Sequence, residues 1–370
     1  MNNQRVIIKL GTSTLTAGSK NISLPHLLEL VKEVARLHNQ GYEILLISSG
    51  AIAAGREALN HPAFEKHVPA KQMLAAVGQS RLMEIYNKLF QMYGVTVGQV
   101  LLTRDDLLSR RRYLNARNTL EALLAYSVIP IINENDTIAT EEIRFGDNDA
   151  LSALVANLVE ADMLIMLTDQ DGLYTGDPRS DKTARLVNEI STPDIPEELL
   201  KAARGSISGL GTGGMETKLQ AADLARRSGA TVVITNGARP DQLPLIVAGE
   251  PIGTRFLPII TTLESRKRYM LANAQASGGI LQVDQGALQA LRRGGSLLPV
   301  GVKAVSGNFE RGDIVQIKTL KGKAIALGIV NYGAHDLQLI EGQKSDQIEA
   351  LLGYTYGDEV VHHNNMMLLN

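Results

Sequence analysis

An α/β fold is what this sequence predicts: a three-layer αβα sandwich around a mainly parallel sheet, followed by a small β-rich domain. Three observations lead there. Short apolar runs of strand length alternate with amphipathic helical runs over roughly the first 250 residues, the order that builds parallel sheets. Those runs are continuous rather than alternating, as expected of strands buried on both faces. Past residue 257 the helical pattern thins and Gly-rich, alternating stretches take over.

The 370 residues are 44% hydrophobic and 21% charged, with a formal net charge of −2 and neither cysteine nor tryptophan. A chain of this length has room for two domains. Without cysteine there is no disulfide, thiol nucleophile or Cys-ligated metal, and no H-E-x-x-H pattern offers a metal site either. The near-neutral charge argues against general attraction to nucleic acid or a membrane surface. No apolar run approaches the ~18 residues of a membrane span, and the N-terminal run is too short for a signal peptide. A cytoplasmic protein is expected.

In chain order, residues 6–10 form the first strand and run into Gly11-Thr12-Ser13. Ser23 and Pro25 open a helix whose apolar face is Leu27, Leu28, Leu30, Val31, Val34 and Leu37, and Gly41 ends it. Residues 44–47 are the second strand, ending in Ser48-Ser49-Gly50-Ala51. The cycle repeats with a helix over 71–92, a strand over 95–102, a helix over 115–126 and a strand over 128–132. That strand ends in Asn133-Glu134-Asn135-Asp136; a hairpin is expected over 137–144, and Gly146-Asp147-Asn148-Asp149 opens a helix over 150–159. Strand 163–167 ends in Thr168-Asp169-Gln170-Asp171-Gly172, and strand 231–235 follows a glycine loop and a helix over 219–227.

The expected divisions are residues 1–257 for the α/β domain, 258–275 for a linker, 276–357 for the β-rich domain and 358–370 for a tail. The β-rich domain has one amphipathic helix near 285–293 and a hairpin cue at Lys321-Gly322-Lys323. Polar residues recur at the carboxyl ends of the strands, where open α/β sheets bind their ligands.

The glycine loop, residues 208–218, holds four glycines and two threonines, and its only cation, Lys218, stands at the end before the helix. Glycines let backbone N–H groups approach an anion, and a helix starting behind them adds a positive dipole end. Gly209-x-Gly211-x-x-Gly214 matches a dinucleotide fingerprint formally, but no strand precedes it and no acid ends the next strand. The Walker pattern fails because Met215 follows Gly214. A flexible loop and a phosphate cradle remain the two readings of this stretch alone.

Lys9 sits at the end of the first strand; a lone lysine there is most often an edge residue facing water. Placed with Lys218 across a ligand, it would instead clamp a phosphoryl group, whose transfer needs positioning and charge stabilisation above all. Asp147 and Asp149 flank Asn148 at a helix start. Only one of them can serve as N-cap, so the other needs a further role, holding the lysines or binding a substrate amine. Asn133, Asn135 and Asp136 form either an Asx-rich turn or part of the same site. Arg110-Arg111-Arg112 reads as a solvated helix start.

Taken together, the stretches 6–13, 48–56, 132–136, 146–149, 167–169 and 209–218 resemble the amino acid kinase family, in family order, and residues 276–356 resemble a PUA domain. The resemblance implies ATP-dependent phosphorylation of the γ-carboxylate of L-glutamate, the first step of proline synthesis, with Mg²⁺ accompanying ATP. It assigns Lys9 and Lys218 to the phosphoryl group in flight and Asp149 to orienting them. Ser49, Asp136 and Asn148 would hold glutamate, with Gly50, Asn133 and Asp147 close by. ATP would be met by Lys9, Thr168 and Asp169 and by the loop residues Gly211, Thr212, Gly213, Gly214, Met215, Glu216, Thr217 and Lys218. Glu216, an anion inside a phosphate cradle, is expected to point outward. The family also implies inhibition by proline and a homo-oligomer.

A buried α-ammonium group needs carboxylate partners, and Asp136 and Asp147 offer them, which favours free glutamate over N-acetylglutamate. Other acceptors known to this fold (aspartate, carbamate, UMP) are the nearest alternatives. RNA binding by the trailing domain is the rival of a different class. Residues 276–357 carry eight Lys and Arg against seven Asp and Glu, far from a basic footprint. Their aromatics are few, chiefly Phe309, Tyr332, Tyr354 and Tyr356, so RNA is at most an accessory ligand.

Overall fold

The computed structural model describes residues 4–61, 67–139, 148–204, 214–261 and 278–369. Contacts divide the chain into two compact units, residues 1–109 with 115–262, and residues 110–114 with 263–370.

The first unit is built on an eight-stranded sheet. Its strands are β1 (Arg5–Leu10), β2 (Glu43–Ser48), β3 (Val97–Leu102), β4 (Ile129–Glu134), β5 (Met163–Thr168), β6 (Glu189–Ile190), β7 (Thr231–Asn236) and β8 (Thr254–Phe256). The order is β3-β4-β2-β1-β5-β7-β8-β6. Every pairing is parallel except β7 with β8. The continuous apolar runs are the reason: in β1, β2 and β5 nearly every residue is buried whichever way it points.

Alternation along the strands separates two apolar layers. Val6, Ile8 and Leu10 join Ile44, Leu46, Ile165 and Leu167 in one core with the helices Leu24–Asn39 and Val68–Gln91. Lys9 has the opposite parity and turns to the other face, toward the helices Asn148–Leu158 and Met215–Arg227. β1 lies between β2 and β5, so Lys9 is interior and only 3% exposed. The edge-strand reading of this lysine is therefore wrong.

Two helical glycines set a close helix crossing in this unit. The helix Ala51–Ala58, missed because it follows Ser48-Ser49-Gly50 without a polar cap, crosses Val68–Gln91 backbone to backbone. A Cβ on Gly55 would stand 2.0 Å from Leu74 O, and one on Gly78 1.8 Å from Ala51 O. The turn into that helix depends on Gly50 at φ +96, where a Cβ would also meet Leu15 at 2.7 Å.

Helix starts differ from the sequence expectation in an informative way. The helix after the glycine loop begins at Met215 with Gly214 as N-cap, not at residue 219, so Lys218 is on the helix. The helix Asn148–Leu158 begins two residues early. Most of the expected hairpin and linker, together with Gly211, Thr212, Gly213 and Asp147, lie outside the described residues.

The second unit carries a five-stranded sheet of β9 (Ile280–Val283), β10 (Val302–Ser306), β11 (Ile314–Thr319), β12 (Ala324–Ile329) and β13 (Met366–Leu368), in the order β10-β9-β11-β12-β13. The helix Gln285–Arg292 is capped by Asp284, which accepts from Ala287 N at 2.8 Å. Two short helices, Ala334–Ile340 and Ile348–Leu352, escaped the sequence reading. Residues 358–369 are no tail: Val360 and Val361 are buried, and β13 pairs with β12. Short apolar runs at a chain end give little signal before the sheet they complete is known. Phe309 and Tyr332 are core residues here, leaving Tyr354 and Tyr356 as the exposed pair among the four aromatics.

Candidate active site

One carboxylate gathers two lysines. Lys9 Nζ is 2.5 Å from Asp149 Oδ1, and Lys218 Nζ is 3.1 Å from Asp149 Oδ2. Three structural elements converge to make this contact: the end of β1, the first turn of Asn148–Leu158 and the first turn of Met215–Arg227. Thr217 Oγ1 lies 2.9 Å from both Asp149 Oδ2 and Gly214 O, so its single proton serves either acceptor. Asp149 is fully buried, and Lys218 is 8% exposed. Two ammonium groups on one carboxylate leave an excess positive charge away from bulk water, where Coulomb attraction for an anion is strong. The helix Met215–Arg227 adds its positive end beside Lys218.

Asp149 is therefore the anchor of the lysines and not the helix cap. Glu216, expected to point outward, is half-buried in the same first turn.

A second group of polar side chains begins at the neighbouring residue. Asn148 Nδ2 donates to Ser49 Oγ at 2.8 Å and to Asn133 Oδ1 at 2.9 Å. Asn133 Nδ2 donates to Gln79 Oε1 at 2.9 Å. Ser49 follows β2 and Asn133 lies near the end of β4, the strand next to it, so adjacency in the sheet brings distant sequence positions into one cluster. Asp136 follows in the turn after β4, where burial pushes its carboxyl above the usual carboxylate range.

Ser49, Asn133 and Asn148 thus meet, as do Lys9, Asp149, Thr217 and Lys218. Thr168 and Asp169 bond to each other at the end of β5, the strand beside β1, at 3.1 Å. Gln79 was not foreseen. A glutamine inside a long amphipathic helix looks like any polar helix residue; the available clue was Gly78 before it, a mid-helix glycine that marks a close approach.

The amino acid kinase family model matches residues 4–236, and the PUA domain model matches residues 279–352. Among known proteins, the chain is 52% identical to a glutamate 5-kinase of Shewanella amazonensis over 99% of this chain and 96% of that one. It is 53% identical to a glutamate 5-kinase of Shewanella oneidensis, covering 99% and 98%, and 51% identical to one of Klebsiella pneumoniae, covering 99% of each. The family motifs, the parallel sheet and the buried lysine–aspartate cluster at its carboxyl edge agree: this chain belongs to the amino acid kinase family and carries a PUA domain behind its kinase domain.

Proposed function

We propose that this chain transfers the γ-phosphoryl group of ATP to the γ-carboxylate of L-glutamate, making an acyl phosphate for proline synthesis. The observation that carries the reading is the pair Lys9 and Lys218 on the single buried carboxylate of Asp149, next to the Ser49–Asn133–Asn148 cluster. The names of the relatives support the choice of glutamate.

The chemistry needs no general base. A γ-carboxylate is ionised at neutral pH, so one of its oxygens attacks the γ-phosphorus directly. The P–O bond to ADP breaks as the new P–O bond forms. Charge spreads over the phosphoryl oxygens during transfer, and the lysines stand ready to offset it. Asp149 holds them at fixed separation, so little reorganisation is needed at the moment of reaction. Gly214, Met215, Glu216 and Thr217 supply the backbone of the helix start on the nucleotide side, and Thr168 and Asp169 contact ATP from β5. Mg²⁺ enters with ATP as a counter-ion on its phosphates. Among the described residues no cluster of three His, Asp or Glu side chains is placed to hold a metal ion.

On the acceptor side, Ser49, Asn148 and Asp136 hold glutamate, with Gly50 and Asn133 behind them. Asp147 belongs to the same set by sequence. Proline inhibition and a homo-oligomer complete the proposal on the strength of the family resemblance. No described helix is long and apolar enough to cross a membrane.

Trapping with hydroxylamine tests the reading directly. With MgATP, hydroxamate is expected from L-glutamate and not from N-acetyl-L-glutamate or L-aspartate. Hydroxamate from N-acetylglutamate alone would leave the family in place and overturn the substrate.

Asp136 makes a pH-dependent prediction. Its ionised form suits an α-ammonium group, and burial raises its pKa in the ligand-free protein. The KM for glutamate should therefore rise as pH falls through that raised value, while the KM for ATP changes less. Asp136→Asn should remove this acid limb and raise the glutamate KM at neutral pH by roughly 10–100-fold. The stability effect has the opposite sign. A raised folded-state pKa penalises the folded protein above that pKa and not below the unfolded value. Ligand-free Asp136→Asn should melt higher than the parent at neutral pH and level with it in acid.

A further inference from the structure

The amide cluster of the acceptor site has one orientation, set by one unambiguous donor. The backbone N–H of Glu134 donates to Asn133 Oδ1 at 2.9 Å. The other end of that amide, Nδ2, therefore faces Gln79 and takes its Oε1 as acceptor at 2.9 Å. Asn133 Oδ1 also accepts from Asn148 Nδ2, whose second proton goes to Ser49 Oγ. An amide nitrogen has only two protons, so Asn148 has no donor left.

Two polar atoms remain open at the ends of this relay. Asn148 Oδ1, an acceptor, and Gln79 Nε2, a donor, are both buried and have no hydrogen-bond partner among the described residues. Both side chains are 9% exposed. Buried polar groups are rarely left unmatched, and those that are need an explanation. A ligand that brings one donor and one acceptor to this cluster would match both. The two charged ends of an α-amino acid are such a pair: an ammonium for Asn148 Oδ1 and a carboxylate for Gln79 Nε2.

The backbone supports the assignment. Gly78 lies against Ala51 O and Gly55 N, which places the next residue, Gln79, at the crossing beside the Ser49–Gly50 turn. Helix Val68–Gln91 is otherwise buried here through Ala75, Leu82 and Met83, so a glutamine at position 79 serves no packing need that an apolar residue would not meet better.

Resting on the glutamate reading above, we propose that Gln79 determines substrate specificity in the acceptor site. Its Oε1 fixes the Asn133–Asn148 relay, and its Nε2 takes the α-carboxylate of the amino acid.

Steady-state kinetics on the full-length chain test this, with hydroxamate formation as the assay. Gln79→Glu keeps an acceptor for Asn133 but replaces the free donor with an anion. It should raise the KM for L-glutamate by about 30-fold or more, as loss of a charge-assisted bond plus repulsion implies. The KM for MgATP should stay within about twofold. The α-carboxamide of glutamate, whose γ-carboxylate is free, can donate to the new carboxylate. Its kcat/KM relative to glutamate should rise at least about tenfold in this variant. Gln79→Met, of similar size and apolar, should raise the glutamate KM without that recovery.

A glutamate KM within twofold of the parent in Gln79→Glu, or no gain by the carboxamide, overturns the proposal. So does a lowered melting temperature with equal losses for both acceptors, which would make Gln79 a packing residue only. Failure of the glutamate reading shows separately, in the parent chain, as no hydroxamate from L-glutamate, and it would take this inference with it.

Discussion

Asp149→Asn is expected to reduce kcat by about 10³-fold or more and to destabilise the ligand-free protein at the same time. The carboxylate is fully buried and meets both lysines. Removing its charge leaves two ammonium groups near each other with little water to solvate them. Breaking a buried charge pair in this way costs about 3–5 kcal/mol. An anion relieves that excess, so MgATP should raise the melting temperature of the variant by more than it raises that of the parent.

Lys218→Met provides the contrast. It should lose turnover on a similar scale, since one of the two cations proposed to face the phosphoryl group is gone. It leaves Asp149 balanced by Lys9, so its melting temperature should stay nearer the parent's. Thermal melting with and without MgATP, together with the hydroxamate rate, separates the two variants. An Asp149→Asn protein that melts with the parent and keeps a tenth of its rate would sink the clamp.

Gly78→Ala is expected to lower stability by about 3 kcal/mol or more, at the upper end of overpacking costs. Helix propensity alone predicts the opposite sign, since alanine is favoured over glycine by about 1 kcal/mol inside a helix. Contact distance decides which effect wins. The new methyl would stand 1.8 Å from Ala51 O and 2.4 Å from Gly55 N. Both are backbone atoms, so no rotamer change relieves the clash and the two helices have to part. Chemical denaturation measures the loss. Because the crossing carries Gln79 on one helix and follows Gly50 on the other, the glutamate KM should suffer more than the ATP KM. Stabilisation in Gly78→Ala would show that the helices are not in contact there.

Much of the site was legible because its chemistry follows strand ends. Lys9 ends an apolar run, Asn133 and Asp136 close another, Asp149 lies in the first turn of the helix after that strand, and Lys218 stands at the end of the glycine loop. Glycine at 214 and the helix behind it are the local signals on which the proposed nucleotide side rests. The strands of the first unit were readable for a related reason: a strand buried on both faces needs an uninterrupted apolar run.

What escaped was what depends on neighbours far away in sequence. The helix Ala51–Ala58 is short, and its start carries no side-chain cap. β13 is three residues long and exists only because β12 offers it an edge. Gln79 is 54 residues from Asn133, and apart from the glycine before it nothing within its own helix distinguishes it from a solvated polar residue.

The sequence by itself determined the α/β order, the polar strand ends and the residue types available for phosphoryl transfer, because these follow from local periodicity and local chemistry. The tertiary structure alone decided that β1 is interior, which buries Lys9 on the face of Asp149. It also decided that the amides of Gln79, Asn133 and Asn148 form one oriented relay. Strand order and helix crossing are set by packing the whole chain at once, so no window of sequence contains them.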